Sequence, residues 1–145
     1  MPKLLRLILA TVLGFATGSA VNMALILVSG NVIAPPAGAD VTTSEGLTAS
    51  MHLMEPKHFL FPFLAHALGT LVGAFVATWL TRGVSRGPAF AVGALFFLGG
   101  CAAAYMLPAP AWFKAVDLIL AYGPPTLLGH WLAARSRHSG LPTRR

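Results

Sequence analysis

Residues Phe59–Leu80 read FLFPFLAHALGTLVGAFVATWL and contain no Asp, Glu, Lys or Arg. An uncharged apolar run of about 20 residues is the length an α-helix needs to cross the hydrocarbon core of a bilayer. In lipid the backbone amides and carbonyls must bond within the segment, so a span in a lone run of this kind is helical. Pro62 falls in the first turn, where a missing amide is tolerated. Trp79 falls near the far end, at the level favoured by an interfacial aromatic.

Three further apolar stretches surround this one. Thr81–Gly87 is a short turn holding Arg82, Gly83, Arg86 and Gly87, which predicts an antiparallel neighbour over Pro88–Leu107. Pro108-Ala109-Pro110 stops that span beside Trp112 and Phe113. Upstream, Leu4–Val28 gives about 25 apolar residues, enough to cross with some tilt. A secretory signal is the competing reading there, with Lys3 and Arg6 before Leu7–Phe15 and Gly18-Ser19-Ala20 as a small-residue cleavage site. The run continues through Val21–Val28, which favours an uncleaved anchor. Downstream, Ala111–Ala134 is interrupted by Gly123-Pro124-Pro125. Neither proline can donate to the carbonyls of Leu120 and Ala121, so a kink or broken helix facing the bundle interior is expected.

The fold expected is all-α: an integral-membrane four-helix bundle with spans at about 4–28, 59–80, 88–107 and 111–134. Residues 1–134 form one membrane domain, and the basic segment 135–145 is expected to be a disordered tail. Charge sets the orientation. Lys3, Arg6, Arg82, Arg86, Arg135, Arg137, Arg144 and Arg145 fall at one end of this arrangement. Asp40, Glu45, Glu55 and Asp117 fall in or beside the other connections, joined only by Lys57 and Lys114. Lys/Arg excess marks the cytoplasmic side, so both termini are expected inside.

The net charge of +6 could suggest nucleic-acid binding, but eight of the ten basic residues lie where membrane topology puts them. The lone Cys101 excludes an internal disulfide and a CxxC redox centre. Seven Arg against three Lys, with abundant Ala, Gly and Pro, fits a GC-rich bacterium and an inner membrane. There is no P-loop, GxSxG, HExxH or acidic pair within a span. The absence of an intramembrane Glu argues against the multidrug-exporter pattern.

The first outer segment opens with Gly30-Asn31 and Pro35-Pro36-Ala37-Gly38, which are turn chemistry. Thr42-Thr43-Ser44-Glu45 fits a capping box, and Leu47, Met51 and Met54 follow on one helical face. A short amphipathic surface helix is expected. Met51, His52, Met54 and His58 are candidate copper-type ligands, though their spacing matches no strict signature. The simpler reading is methionine filling an apolar face, and no cofactor is predicted.

Small residues form seams. Gly14, Gly18 and Asn22 recur every four residues in span one; His66, Gly69, Gly73 and Ala77 recur at three and four in span two. Such spacing lets backbones approach in lipid. Run antiparallel, Gly18 faces Gly69, Gly14 faces Gly73 and Asn22 faces His66. Span three has a similar seam at Ala89, Gly93, Gly100 and Ala104.

Polar groups in spans are costly and need a reason. Asn22, His66 and Asp117 fall at a common depth, about 9–10 Å inside the outer boundary by helical rise. Together with Tyr105 and Tyr122 they are expected to converge on a polar site in the outer half. His66 next to a carboxylate suits either a helix-joining hydrogen bond or a proton-accepting group. Asp117 also suits a site early in its helix, where a negative charge meets the N-terminal dipole. His130 and Trp131 read as interfacial anchors. The leading expectation is a non-enzymatic accessory or scaffold subunit with a membrane-protein partner or a second copy of itself. A small carrier using Asn22, His66 and Asp117 is the alternative, and a membrane enzyme or metal protein using the same site is the third.

Overall fold

The computed structural model describes residues 2–82 and 85–138. All regular structure among them is helical. In order, α1 spans Lys3–Val32, α2 Ser44–Ser50, α3 Leu60–Leu80, α4 Gly87–Met106, α5 Ala111–Leu120 and α6 Gly123–His138, with single 3-10 turns at Met51–Leu53 and Pro56–Phe59. Three helical stretches are long and apolar enough to cross a membrane: Lys3–Val32, Pro56–Leu80 and Gly87–Met106.

At 30 residues, α1 runs about 45 Å. It passes without interruption through Gly18-Ser19-Ala20 and ends beyond Val28, because nothing in Ser29–Val32 breaks the helix before the Pro35-Pro36 pair. The central element is α3, which packs against α1, α4 and α6. It buries Ala65, Gly69, Thr70, Gly73, Ala74, Ala77 and Thr78, a face of small side chains that lets three neighbours approach it.

The approach is close at α1. A Cβ added to Gly69 would stand 2.9 Å from the Gly18 carbonyl oxygen, and one added to Gly73 would stand 2.9 Å from that of Gly14. Ridge and groove are here backbone against backbone. At one end of the pair, the Arg6 guanidinium donates through Nε and Nη2 to the Leu80 carbonyl at 3.3 and 3.2 Å. That carbonyl belongs to the last turn of α3, which has no intrahelical donor of its own. Arg82, just beyond, holds φ 58°, the left-handed conformation that ends many helices.

The fourth stretch is two helices. The α5 backbone closes with the Ala121 amide on the Asp117 carbonyl at 2.9 Å, and α6 opens with the Thr126 amide on the Tyr122 carbonyl at 3.0 Å. Pro124 and Pro125 therefore sit in the first turn of a new helix, where amides have no partner to lose. The prolines start α6 and do not bend a continuous span. Ala121 and Tyr122 at the break are both buried. The α6 helix runs on to His138, so 135–138 are helical where a disordered tail was expected; 139–145 lie outside the described residues.

The segment between α1 and α3 is built on Asp40. Its Oδ1 accepts from the Thr42 amide at 2.8 Å and the Thr42 hydroxyl at 2.6 Å, and its amide donates to Ser50 Oγ at 2.9 Å. Thr42 is thereby taken from the capping role the sequence suggested. Thr43 caps α2 one residue later, accepting from the Gly46 amide at 2.9 Å. The helix ends at Ser50; Met51 is buried after it, and Met54 has left the helical conformation. The expected Leu47–Met51–Met54 helical face is thus cut short.

Candidate functional site

Three of the five polar candidates meet. His66 on α3 and Asp117 on α5 are joined with His66 Nδ1 at 2.9 Å from each carboxylate oxygen. The Tyr122 hydroxyl, from the α5–α6 break, donates to Asp117 Oδ2 at 2.9 Å. An ionised carboxylate only accepts, so the His66 proton in this bond sits on Nδ1. His66 Nε2 has no hydrogen-bond partner among the described residues. The His66 side chain is 23% exposed, against 6% for Asp117. His66 is the only ion-pair partner of Asp117 among the described residues.

Local structure fixes these three groups. Thr70, fully buried, donates its hydroxyl to the His66 carbonyl at 2.7 Å one turn below. The imidazole lies against the Tyr122 ring at 5.8 Å between centroids and 30° between planes. Tyr122 in turn meets Phe97 of α4 edge-on at 5.8 Å. Gly100 makes the room: a Cβ there would come within 2.9 Å of Tyr122 Cε2. Thr126 donates to the Tyr122 carbonyl at 2.7 Å and packs on Gly93.

The other two candidates stand apart. Tyr105 is 92% exposed. From Gly100, which faces Tyr122, five residues turn the helix about 140° and advance it about 7.5 Å, so Tyr105 points away from the site. Asn22 lies over Gly69, whose added Cβ would approach the Asn22 Cβ at 3.1 Å. Its amide makes no hydrogen bond among the described residues, and the expected Asn22–His66 contact is replaced by His66–Asp117. The polar end of the α1–α3 seam thus closes through α5.

Between α1 and α3, His52 and His58 bond to nearby backbone. His58 Nδ1 accepts from the Glu55 amide at 3.0 Å, and Nε2 lies 3.2 Å from the Ala34 carbonyl. With one nitrogen accepting and the other donating, the ring ties the end of the outer segment to the exit of α1. His52 Nδ1 lies 2.8 Å from the Ala49 carbonyl. Among the described residues no group of three or more His, Cys, Asp or Glu side chains is gathered.

Two contacts that the sequence reading did not assign lie toward the other end. His130 Nδ1 lies 3.0 Å from the buried Thr78 hydroxyl, so His130 joins α6 to α3 and does more than anchor an interface. Gly129, its neighbour, sits where a Cβ would come within 3.0 Å of the Phe75 amide nitrogen. The signal for this second seam was present as Thr78 and Gly129, but single small residues in a broken span show no repeat.

No family model matches the chain, and the searches of curated proteins and solved structures return no match.

Proposed function

We propose that this chain is a four-span bacterial inner-membrane protein with both termini cytoplasmic, acting as a non-enzymatic accessory or scaffold subunit. The carrying observation is that two of its buried polar side chains, Asp117 and Thr78, join one helix to another, as does the half-buried Arg6. Asp117 takes His66 and Tyr122, Thr78 takes His130, and Arg6 closes the end of α3. In lipid such bonds and close small-residue contacts are what hold helices together, since apolar burial drives association only weakly there. The orientation is supported by the meeting of Arg6 with Leu80 and of Thr78 with His130, which brings Arg6, Arg82, Arg86 and Arg135 to the end opposite Asp40, Glu45 and Glu55. The crossing of α5 and α6 as one broken fourth span completes the arrangement. Affinity purification from native membrane after mild crosslinking tests the role. A stoichiometric partner or a second copy is expected; a chain that runs alone, with no loss of stability in His66→Ala, overturns it.

A small carrier is the second reading, favoured by one specific feature. His66 is oriented by Asp117 through Nδ1, keeps Nε2 unpaired among the described residues and is partly exposed, which is the arrangement of a proton-accepting imidazole. It predicts pH-dependent substrate flux in liposomes. Equal flux from wild type and the His66→Ala/Asp117→Ala double variant rejects it.

A further inference from the structure

Helix α5 is attached unlike any other long element. Its single buried residue is the carboxylate Asp117, whereas α3 and α4 bury mostly small or apolar residues along their lengths. Val116, Ile119 and Leu120 are exposed. Apart from the Asp117 bonds, α5 is fastened at its outer end by Phe113 and Trp112, whose rings meet Phe59 at 4.7 and 5.7 Å, and by Leu118, which leans on the core. Its inner end carries no backbone continuity. No backbone hydrogen bond among the described residues crosses from α6 to a carbonyl before Tyr122, because Pro124 and Pro125 have no N–H to give. A Cβ at Gly123 would meet nothing within 4 Å, so the joint is not wedged. A cleft of about 400 Å³ lies beside it, lined by Phe90, Gly93 and Phe97 of α4 and by Leu118, Ile119 and Tyr122 of the joint.

From this we propose that α5 is a hinged gate over the outer polar site, latched to α3 by the His66–Asp117 bond and pivoting at residues 121–123, where the Tyr122 hydroxyl braces the Asp117 carboxylate. With the latch closed, the carboxylate holds α5 against α3. A donor group from the outer side that takes the carboxylate in place of His66 releases α5, and the adjoining cleft gives the segment space to move. Hinges of this kind are a few element-terminal residues that absorb a backbone change. The α3–α6 contact, which rests on Gly129 and the Thr78–His130 bond, stays in place.

Spin labels test the gate in protein reconstituted in nanodiscs, with Cys101 replaced by serine. One pair joins Met23 on α1 to Val116 on α5, and a control pair joins Met23 to Leu127 on α6; all three positions are exposed. The latch is removed by Asp117→Leu, which leaves no buried charge behind, and separately by His66→Phe, which keeps a ring. The expected result is a broader distance distribution, shifted from that of wild type, for Met23–Val116 in both variants, with Met23–Leu127 unchanged. Should Asp117→Leu fail to fold, His66→Phe decides alone. An unchanged Met23–Val116 distribution overturns the gate, as does equal broadening of both pairs, which would mean a loosened bundle.

Discussion

Gly18 and Gly30 lie on the same helix and predict opposite responses to alanine. At Gly18 the new methyl would stand 2.9 Å from the Phe96 ring and press on the Gly69 backbone. Backbone cannot yield as a side chain does, so Gly18→Ala is expected to lower stability by about 1–3 kcal/mol. At Gly30 nothing lies within 4 Å, and the gain in helix propensity leaves Gly30→Ala neutral or up to about 1 kcal/mol more stable. Thermal unfolding of both variants in one detergent checks the pair. Arg82 offers a third case. Its φ of 58° costs a non-glycine residue about 1 kcal/mol, so Arg82→Gly is expected to raise stability by up to that amount. Facing of Gly14 with Gly73 and Gly18 with Gly69 was legible from spacing alone, because a four-residue repeat fixes both depth and direction. Tyr105 stands outside the site because the direction of its side chain depends on which face of α4 meets its neighbours, and that is a tertiary fact. Of the two partners the sequence offers His66, Asn22 and Asp117, the carboxylate is taken, since it accepts a stronger, charge-assisted bond.

At the scale of elements, the segment between α1 and α3 depends on two exposed carboxylates. The Thr42 hydroxyl and then the Thr42 amide hold the Asp40 carboxyl below the usual carboxylate range. The Lys57 ammonium, at 2.9 Å, does the same for Glu55. A carboxyl whose pKa is lowered on folding stabilises the folded form above its unfolded value, and that contribution disappears as pH falls through the folded value. The Asp40 turn is therefore expected to be intact at neutral pH and to loosen below about pH 4, the ordinary carboxylate range. Faster exchange of the Thr42 amide hydrogen at low pH, relative to intrinsic rates, measures it; protection independent of pH contradicts it. The proline pair shows how far sequence reaches here. A break at 123–125 was legible from residue chemistry, but whether prolines bend one helix or begin another depends on the preceding turn. Ala121 and Tyr122 leave the helix and bury themselves, so the prolines fall in a first turn. The capping of α2 shifted by one residue because Asp40 claims Thr42, a partner that S/T-x-x-E matching does not see.

For the whole molecule, the separation of basic and acidic residues carries the account of orientation. The all-helical fold and three helices able to cross a membrane were legible in apolar run lengths. The fourth stretch was harder, since α5 and α6 are each too short to stand alone as a span. Single cysteines at Ser44 and Ser136, in a Cys101→Ser background, test the orientation. An impermeant thiol reagent added to intact spheroplasts is expected to label the first and spare the second; the reverse pattern would invert the topology. The intact mass of the purified chain should include its first twenty residues, since the Gly18–Gly69 contact requires them.

The use of buried polar side chains as joints between helices is tested most directly by a double-variant cycle on His66 and Asp117. Unfolding free energies of wild type, His66→Ala, Asp117→Ala and the double variant would be measured in the same bilayer-like medium. Each single variant is expected to be less stable, with a coupling of about 1 kcal/mol between the two positions, within the range found for polar pairs between membrane helices. Additive effects with no coupling, or single variants as stable as wild type, would contradict the account and leave His66 free for chemistry.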